Sequence, residues 1–388
     1  MARALEGLRV IDFTQMFAGP GTGMYLADQG ADVIKIEPPN GGRDRAGDGF
    51  QNSFILLNRG KRSLVLDIRR PEGREVVHRL VQRSDVMLIA WPPGQAERLG
   101  YDYERMRAIN PRIVYASVTG WGDKGPLAMK EGYDRLMQAY TGITASKRGA
   151  DGVPQECAIF VADMSIPMVL AYGIMLALWA RERTGQGQKV ATSQLEAQIA
   201  MQSIYLVFPE RADAEARQAN NTGHPSHVYR TQDDRYLTVV PILEAEWTRL
   251  WECLDLPELA ADPSLQSDPG RNAKLETLQA ALAGRFATRP LAAWLEALTA
   301  AGVPHAPILW REEFIDHPHA WENGMLTEVD HPVVGRTKMM TLPVRLSGTP
   351  GQVGSPAPAF GQHSTEILRE LGYAPGDIET LYAEGTVR

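Results

Sequence analysis

Short apolar strands alternate with helices at the start of the chain, and this pattern limits the possible folds more than any other feature. Leu8–Phe13 predicts a buried strand, a glycine-rich loop follows at 18–23, Met24–Gln29 predicts a helix, and Asp32–Glu37 predicts a second strand. Two strands joined by a helix at this spacing must run parallel. A parallel sheet is buried on both faces, so the sequence predicts an α/β fold with a doubly wound sheet.

The alternation continues through the first half and then stops, which predicts two domains. We assign 1–210 to a large domain with the parallel sheet, 211–228 to a polar linker, 229–325 to a smaller α+β domain, and 326–388 to a second linker and C-terminal segment. In the smaller domain we expect a hairpin at 229–240 and helices at 246–253, 273–287 and 291–301, and near the end short helices at 365–371 and 377–383.

Composition excludes several classes of protein. The 388 residues carry a net charge of -7, which disfavours nucleic-acid binding. Two cysteines, Cys157 and Cys253, cannot form a disulfide framework, and no metal-ligand spacing is present, so we expect no metal site. The first residues lack the apolar core of a signal peptide. We therefore expect a soluble, cytoplasmic protein with no membrane partner.

Asp163 stands directly before a long apolar run, Met164–Ala180, that predicts a buried core helix; the run is slightly short for a bilayer span. A carboxylate at the start of a helix can cap the free N–H groups. It can equally be a reactive group that those N–H groups and the helix dipole hold ionised. The residues alone leave both interpretations open.

The loop at 18–23 is similar to a dinucleotide-binding fingerprint, because Glu37 stands where a ribose-binding acid would stand. Its glycines alternate and do not follow the G-x-G-x-x-G spacing, so an NAD-dependent oxidoreductase is the alternative from a different class of enzyme. A tight junction between strand and helix would need the same glycines.

Several cations lie near predicted strand ends, where ligands bind in open α/β sheets. They suit a phosphorylated ligand, although each alone could be solvated surface charge. These cations are Arg59, Lys61, Arg62, Arg98, Lys124 and Lys130.

Asn58, Tyr133 and Asp134 are candidates to orient Asp163 as a nucleophile and to stabilise an oxyanion. No G-x-S-x-G motif is present for a serine nucleophile.

With these motifs in place, the chain resembles the class III (family III) CoA-transferases, the group of formyl-CoA transferase and carnitine CoA-transferase. The resemblance covers nearly the whole chain as ordered blocks. These blocks are GLRVIDF (7–13), AGP (18–20), GADVIKIE (30–37), NRGKRS (58–63), PG (93–94), RLG (98–100), NPRIVY (110–115), GYD (132–134), DM (163–164), TGQGQ (184–188) and GQHS (361–364).

The resemblance implies a CoA-transferase in which Asp163 is the covalent nucleophile. CoA and acyl-CoA are substrates, a small carboxylic acid is the acceptor, and no cofactor is permanently bound. The family's CoA contacts fall on Phe17, Ala18, Leu57, Asn58, Arg59, Gly60, Lys61, Ala90, Trp91, Pro92, Arg98, Lys130, Glu131, Gly132 and Tyr133. The implied fold is a Rossmann-like large domain to which the C-terminal segment returns, a smaller domain, long linkers and a homodimer of two interlocked chains.

The chain departs from its family in ways that bear on substrate. Phe17 replaces a glutamine of formyl-CoA transferase, Trp91 and Pro92 replace a phenylalanine and an arginine, and the consecutive glycines of a mobile loop are missing. These departures disfavour oxalate as acceptor and suggest that Trp91 stacks on adenine. An α-methylacyl-CoA racemase on the same fold is the nearest alternative, but racemases pair the aspartate with a histidine where this chain has Tyr133. A phenol, with a pKa of about 10, is a poor base at neutral pH.

Overall fold

The computed structural model describes residues 2–45, 51–149, 151–207 and 228–388, with the backbone alone for residue 51. The predicted linker at 211–228 thus lies almost wholly outside the described residues. The described chain divides into two compact units. The first runs to Val207 and resumes over Trp321–Arg388, and the second ends at Ala320.

The first unit contains a six-stranded parallel sheet, which confirms the predicted α/β fold. Its strands follow the order β3-β2-β1-β4-β5-β6, so the chain reverses direction across the sheet between β1 and β4. In sheets of this kind, ligands bind beyond the carboxyl ends of the strands at that reversal. The strands are β1 (Arg9–Asp12), β2 (Asp32–Glu37), β3 (Lys61–Val65), β4 (Val86–Ile89), β5 (Val114–Thr119) and β6 (Lys189–Ser193).

Helices cover both faces of this sheet. In chain order they are α1 (Ala18–Asp28), α2 (Gln51–Leu57), α3 (Pro71–Gln82), α4 (Gln95–Leu99), α5 (Tyr103–Ile109), α6 (Asp134–Thr141), α7 (Ile143–Ser146), α8 (Val161–Thr184) and α9 (Gln194–Met201).

The second unit combines a small antiparallel sheet with helices and has its own core of Trp247, Trp251, Phe286 and Trp294. Its sheet is β7 (Val228–Arg230), β8 (Tyr236–Val239) and β9 (His305–Pro307), and β7 and β8 form the predicted hairpin. Its helices are α10 (Glu244–Leu254), α11 (Pro257–Ala260), α12 (Asp268–Ala273), α13 (Leu275–Phe286), α14 (Leu291–Ala301) and α15 (Arg311–Phe314). Helix α13 confirms the helix predicted at 273–287, and α12 is a separate helix that lies almost wholly before that range.

The remaining elements lie near the end of the chain. They are α16 (Pro318–Glu322), the antiparallel pair β10 (Leu326–His331) and β11 (Gly335–Met340), α17 (Ser364–Glu370) and α18 (Pro375–Ala383). The last two confirm the short helices predicted there.

The C-terminal residues of the first unit complete its sheet at the edge strand β3. The N–H of Asp67 donates to Thr386 O at 2.8 Å, and the N–H of His363 donates to Ser63 O at 3.0 Å. Ile367 and Leu368 are fully buried in the same core as the sheet. The end of the chain is thus part of the domain that its beginning starts.

The prediction of a glycine-rich loop at 18–23 was wrong, because these residues are the first turns of α1. Their glycines allow close packing. A Cβ atom at Gly21 would lie 2.6 Å from Cγ of Pro167 in α8, and one at Gly23 would lie 2.8 Å from the Asp12 carboxylate. Turns and close helix contacts both select glycine, so the sequence alone did not separate them.

The predicted core helix α8 packs on the sheet, but only one of its faces is buried. Ile166, Leu170 and Ile174 are buried against the sheet, whereas Tyr172 and Trp179 are each 67% exposed. By length and composition α8 is also the one helix of the described residues that could cross a bilayer, with 44% of its apolar stretch buried. A single such helix is weak support for a span, and its packing on the sheet is that of a domain helix.

We predict that Gly21→Ala lowers the free energy of unfolding by about 1–3 kcal/mol, because the added methyl group overpacks the contact with Pro167. Urea denaturation measures this change. Gly376→Ala is the matched control, since nothing lies within 4 Å of a Cβ at this position in α18. Equal effects of the two substitutions would contradict the close α1–α8 contact.

Candidate active site

The N-termini of α1 and α8 meet at the carboxyl edge of the sheet. Helix α8 connects the parallel neighbours β5 and β6, so it runs back across the sheet and must begin near the carboxyl ends of the strands. Helix α1 follows β1 and begins at the same edge. Close to these two starts, the rings of Phe17 and Phe160 lie 5.4 Å apart. The predicted CoA contacts at Phe17 and Ala18 are therefore near the first turn of α8.

Asp134 caps α8, and Asp163 does not. One oxygen of the buried Asp134 carboxylate, Oδ2, accepts hydrogen bonds from the N–H of Ala162 at 2.6 Å and of Asp163 at 3.1 Å. The next N–H, of Met164, donates to Phe160 O at 3.2 Å. Asp163 is the third residue of the helix, so its side chain is left for another use.

The Asp163 side chain is 9% exposed, and its Oδ1 accepts a hydrogen bond from Nε2 of Gln194 at 2.8 Å. Burial raises the pKa of Asp163 to about 6; the hydrogen bond from Gln194 opposes this rise, and the nearby charge of Asp134 adds to it. The expectation that helix N–H groups hold Asp163 ionised was wrong, because Asp134 and Phe160 occupy them. A buried carboxylate with a raised pKa keeps substantial basicity at neutral pH, which suits a nucleophile.

Gln194 was not among the predicted site residues. It begins α9 directly after β6, and the N–H of Leu195 donates to Gly120 O at the end of β5. Its position after a predicted strand could have indicated a site residue, because ligands bind beyond the carboxyl ends of the strands in such a sheet, at what we call its ligand edge. Its contact with Asp163 joins residues 31 positions apart.

Of the three residues predicted to orient Asp163, only Asp134 is hydrogen bonded to it in the described structure, and this bond is to the main-chain N–H of Asp163, not to its carboxylate. The Asn58 amide donates to Phe54 O at 3.2 Å and accepts from Lys61 Nζ at 3.0 Å. The Tyr133 side chain, directly before α6, is 44% exposed.

Three of the predicted phosphate-binding cations pair with carboxylates of their own chain, so their charges are already neutralised. Arg59 and Asp28 form a fully buried ion pair at 2.6 Å. Lys61 lies 2.8 Å from Asp12 and is equally buried. Their burial could not be read from sequence, because basic residues near strand ends are more often exposed.

Arg62 likewise binds Asp32, Glu366 and Glu370. At the neighbouring Gly60 the N–H donates to Ser355 O at 2.7 Å. The contacts of segment 58–62 thus mainly connect the sheet to the C-terminal residues.

The other predicted CoA contacts are partly accessible. Leu57 is buried close to Gly21. Trp91, after β4, packs against Phe13 with ring centroids 5.4 Å apart, so part of its surface is already covered. Ala90 and Gly132 are half-buried, whereas Pro92, Arg98, Lys130 and Glu131 are exposed, as is Lys124. Beside Arg98 lies an open cavity of about 450 Å³ that Arg74 and Arg105 also line.

The structure removes both observations that favoured a dinucleotide-binding site. The glycines lie inside α1, and both oxygens of the buried Glu37 accept hydrogen bonds from Arg45 at 2.8 Å. Glu37 is therefore not available to a ribose. In the described part of the chain no three His, Cys, Asp or Glu side chains converge as metal ligands.

Comparison with known proteins identifies the class of protein. A family model for CoA-transferase family III matches residues 5–364. Succinyl-CoA:glutarate CoA-transferase of Mus musculus is 32% identical over 99% of this chain and 90% of its own length. Formyl-CoA:oxalate CoA-transferase of Streptomyces coelicolor is 32% identical over the full length of both chains. The chain therefore belongs to CoA-transferase family III, as the sequence blocks predicted, and is an enzyme of the CoA-transferase type.

Solved structures agree with this assignment. The crystal structure of Rv3272 from Mycobacterium tuberculosis is 29% identical, with a TM-score of 0.84 over 94% of this chain and 99% of that one. A CAIB/BAIF family protein from Brucella suis is 30% identical, with a TM-score of 0.82 over 96% of this chain and all of that one.

We predict that Asp163→Asn stabilises the protein at neutral pH. Because the pKa of Asp163 is raised on folding from 3.8 to about 6, its contribution to stability is full below pH 4 and is lost as the pH rises through 6. The variant should thus gain up to about 3 kcal/mol relative to wild type between pH 4 and pH 7. Urea denaturation across this range measures it, with the exposed Glu379→Gln of α18 as control. A stability difference that does not vary with pH would contradict the raised pKa.

Proposed function

We propose that this protein transfers CoA from an acyl-CoA to a small carboxylic acid with Asp163 as the covalent nucleophile. The observation that carries the proposal is the state of Asp163. Its carboxylate is buried at the ligand edge of the sheet, is not used as a helix cap, and has one oxygen tied to Gln194. Family membership supplies the reaction class, and the geometry supports this residue for the covalent step.

The proposed reaction proceeds in four balanced steps. Asp163 attacks the thioester carbonyl, forms a mixed anhydride and releases CoA thiolate. The thiolate attacks the aspartyl carbonyl, so that an aspartyl-CoA thioester forms and the donor acid leaves. An acceptor carboxylate then attacks this thioester to give a second anhydride and thiolate. Finally the thiolate attacks the acceptor's carbonyl, which yields the new acyl-CoA and restores the Asp163 carboxylate.

A carboxylate suits this sequence because each intermediate is an anhydride or a thioester, as are the species that it exchanges with. No step falls into a deep energy minimum, and the chemistry splits into steps of similar difficulty. Burial of Asp163 also excludes water, which would hydrolyse the anhydride.

We propose that CoA lies along the ends of β1, β4 and β5. Phe17 and Ala18 follow β1, Trp91 follows β4, and Tyr133 belongs to the segment between β5 and α8. Arg98 and, at the neighbouring cavity, Arg74 offer guanidinium groups to phosphates. Since Arg59 and Lys61 are paired internally, their segment would contribute backbone and shape.

The proposed substrates are an acyl-CoA as donor and a small carboxylic acid as acceptor, each defined as a chemical class. The relatives named above act on succinyl-CoA with glutarate and on formyl-CoA with oxalate. Phe17 and Phe160 place two aromatic rings near the first turn of α8. An apolar wall of this kind favours an acid with a hydrocarbon portion over oxalate.

Racemase activity is not favoured. The relatives named above are transferases. A racemase needs two bases on opposite sides of the α-carbon. At the position where the racemases carry a histidine, this chain has Tyr133.

We predict that Asp163→Ala abolishes CoA exchange while the variant remains folded and binds CoA. The assay is a screen of acyl-CoA donors against short mono- and dicarboxylic acids, read by mass spectrometry. In wild type, hydroxylamine or borohydride added during turnover should label the peptide that contains Asp163. Full exchange by the variant, or a label on another peptide, would overturn the proposed nucleophile.

We further propose that the protein is a homodimer of interlocked chains. The exposed side of α8 carries Met168, Tyr172, Leu176 and Trp179, which form one apolar stripe at helical spacing. A stripe of this size on a soluble domain is typical of a surface covered by another protein. The family resemblance suggests that the protein covering this stripe is a second copy of the same chain.

Threaded chains cannot separate while folded, so we predict a dimer that persists on dilution to about nanomolar concentration, where ordinary weak dimers dissociate. Mass photometry measures this. Trp179→Glu should reduce the yield of dimer, and Trp310→Glu, at a tryptophan of the second unit that is 62% exposed, is the matched control. Monomers throughout, or reversible dissociation on dilution, would contradict interlocking.

A further inference from the structure

We infer that Gln194 is a positioning residue that decides which oxygen of Asp163 attacks and that then donates to the oxygen left behind. This inference rests on the proposed function of Asp163. Its basis is the hydrogen bond from Gln194 Nε2 to Asp163 Oδ1 at 2.8 Å, made inside the site between two segments 31 residues apart.

The two oxygens of Asp163 are not equivalent. Oδ1 accepts from Gln194, and among the described residues no donor is hydrogen bonded to Oδ2. A hydrogen bond lowers the electron density available for attack, so Oδ2 is the better nucleophile. Attack through Oδ2 makes it the bridging oxygen of the anhydride and leaves Oδ1 as the aspartyl carbonyl oxygen.

The second step then places charge on the oxygen that Gln194 already contacts. When CoA thiolate attacks the aspartyl carbonyl carbon, the carbonyl electrons move onto Oδ1. The bond to Oδ2 breaks as the intermediate collapses, and Oδ2 leaves with the donor acid. A donor about 2.7–3.1 Å from the developing oxyanion stabilises it more than it stabilises the neutral carbonyl.

The usual alternative donors are occupied. The N–H groups of Ala162 and Asp163 donate to Asp134, and that of Met164 donates to Phe160 O. Helix α8 therefore offers no free N–H at these three positions, and Gln194 is the donor that the described structure directs to Asp163.

The position of Gln194 is fixed by the cap at the start of α9 and by close packing against Gly132. Ser193 caps α9 by accepting from the N–H of Glu196 at 3.1 Å, and its hydroxyl donates to the Glu196 carboxylate at 2.8 Å. A Cβ at Gly132 would lie 2.7 Å from Gln194 Oε1 and 2.4 Å from the Cα of Gly120. The glycine at 132 thus leaves the space that the amide fills.

The orientation of the amide is also informative. A carboxylate accepts hydrogen bonds, so Nε2 must face Asp163 and Oε1 must face Gly132. There Oε1 is buried with no protein hydrogen-bond partner among the described residues. Leaving a buried acceptor unpaired is unfavourable, so packing alone does not explain a glutamine here, and its hydrogen bond to Asp163 does.

The test compares wild type with Gln194→Leu, Gln194→Glu and the control Gln202→Leu, whose side chain bonds within its own segment to Gln198 O. We measure kcat, KM for both substrates and the pH–rate profile. Gln194→Leu should lower kcat roughly 10²–10³-fold, the effect typical of losing one oxyanion donor, with KM little changed. The acid limb should move to higher pH, because the hydrogen bond favours ionised Asp163. Gln194→Glu should move it further, since it adds a like charge.

A second measurement needs no turnover. Infrared difference titration of the resting protein, with Asp163→Asn to assign the band, should show the Asp163 carboxyl titrating at higher pH in Gln194→Leu than in wild type. Unchanged kcat, or a lower kcat with the acid limb and the titration both unmoved, would overturn the role of Gln194. Failure of the proposed function is distinct, because wild type would then show no label on Asp163 whatever the titration shows.

Discussion

The carboxylate of Asp134 occupies the N–H groups at the start of α8, and this one interaction determines what Asp163 can do. An acidic residue in the first turn of a helix normally accepts hydrogen bonds from those N–H groups, and the helix dipole stabilises its negative charge. Here the capping carboxylate comes from a different segment, α6. The carboxylate of Asp163 therefore receives no hydrogen bonds from these N–H groups. Burial then raises the pKa of Asp163, and Gln194 partly restores the stability of its charged form.

The parallel sheet explains why residues far apart in sequence share one site. Phe17 lies shortly after β1, Trp91 follows β4, and Gln194 directly follows β6, so each is carried to the same edge. Glycines allow the connecting segments to approach each other more closely than side chains would permit, at Gly21 against α8 and at Gly132 against Gly120. The site is thus formed by strand ends and held by backbone contacts.

Sequence predicted the alternation of strands and helices, the parallel sheet and the family, because periodicity and ordered motifs are local signals. It did not predict the cap from Asp134 or the contact from Gln194, which join positions 28 to 31 residues apart. It did not predict the ion pairs of Arg59 and Lys61 either, because a basic side chain does not reveal whether a carboxylate elsewhere will neutralise it. Long-range pairing of polar groups was the missing information in each case.

The pairing of β3 with residues near Thr386 has a consequence for biosynthesis. A sheet whose first strand begins at Arg9 obtains its last edge contacts from the end of the chain. During translation the inserted unit, with its own tryptophan-rich core, leaves the ribosome before those contacts exist. Since domains generally fold as units while the chain emerges, we expect the unit that starts second to reach its native state first.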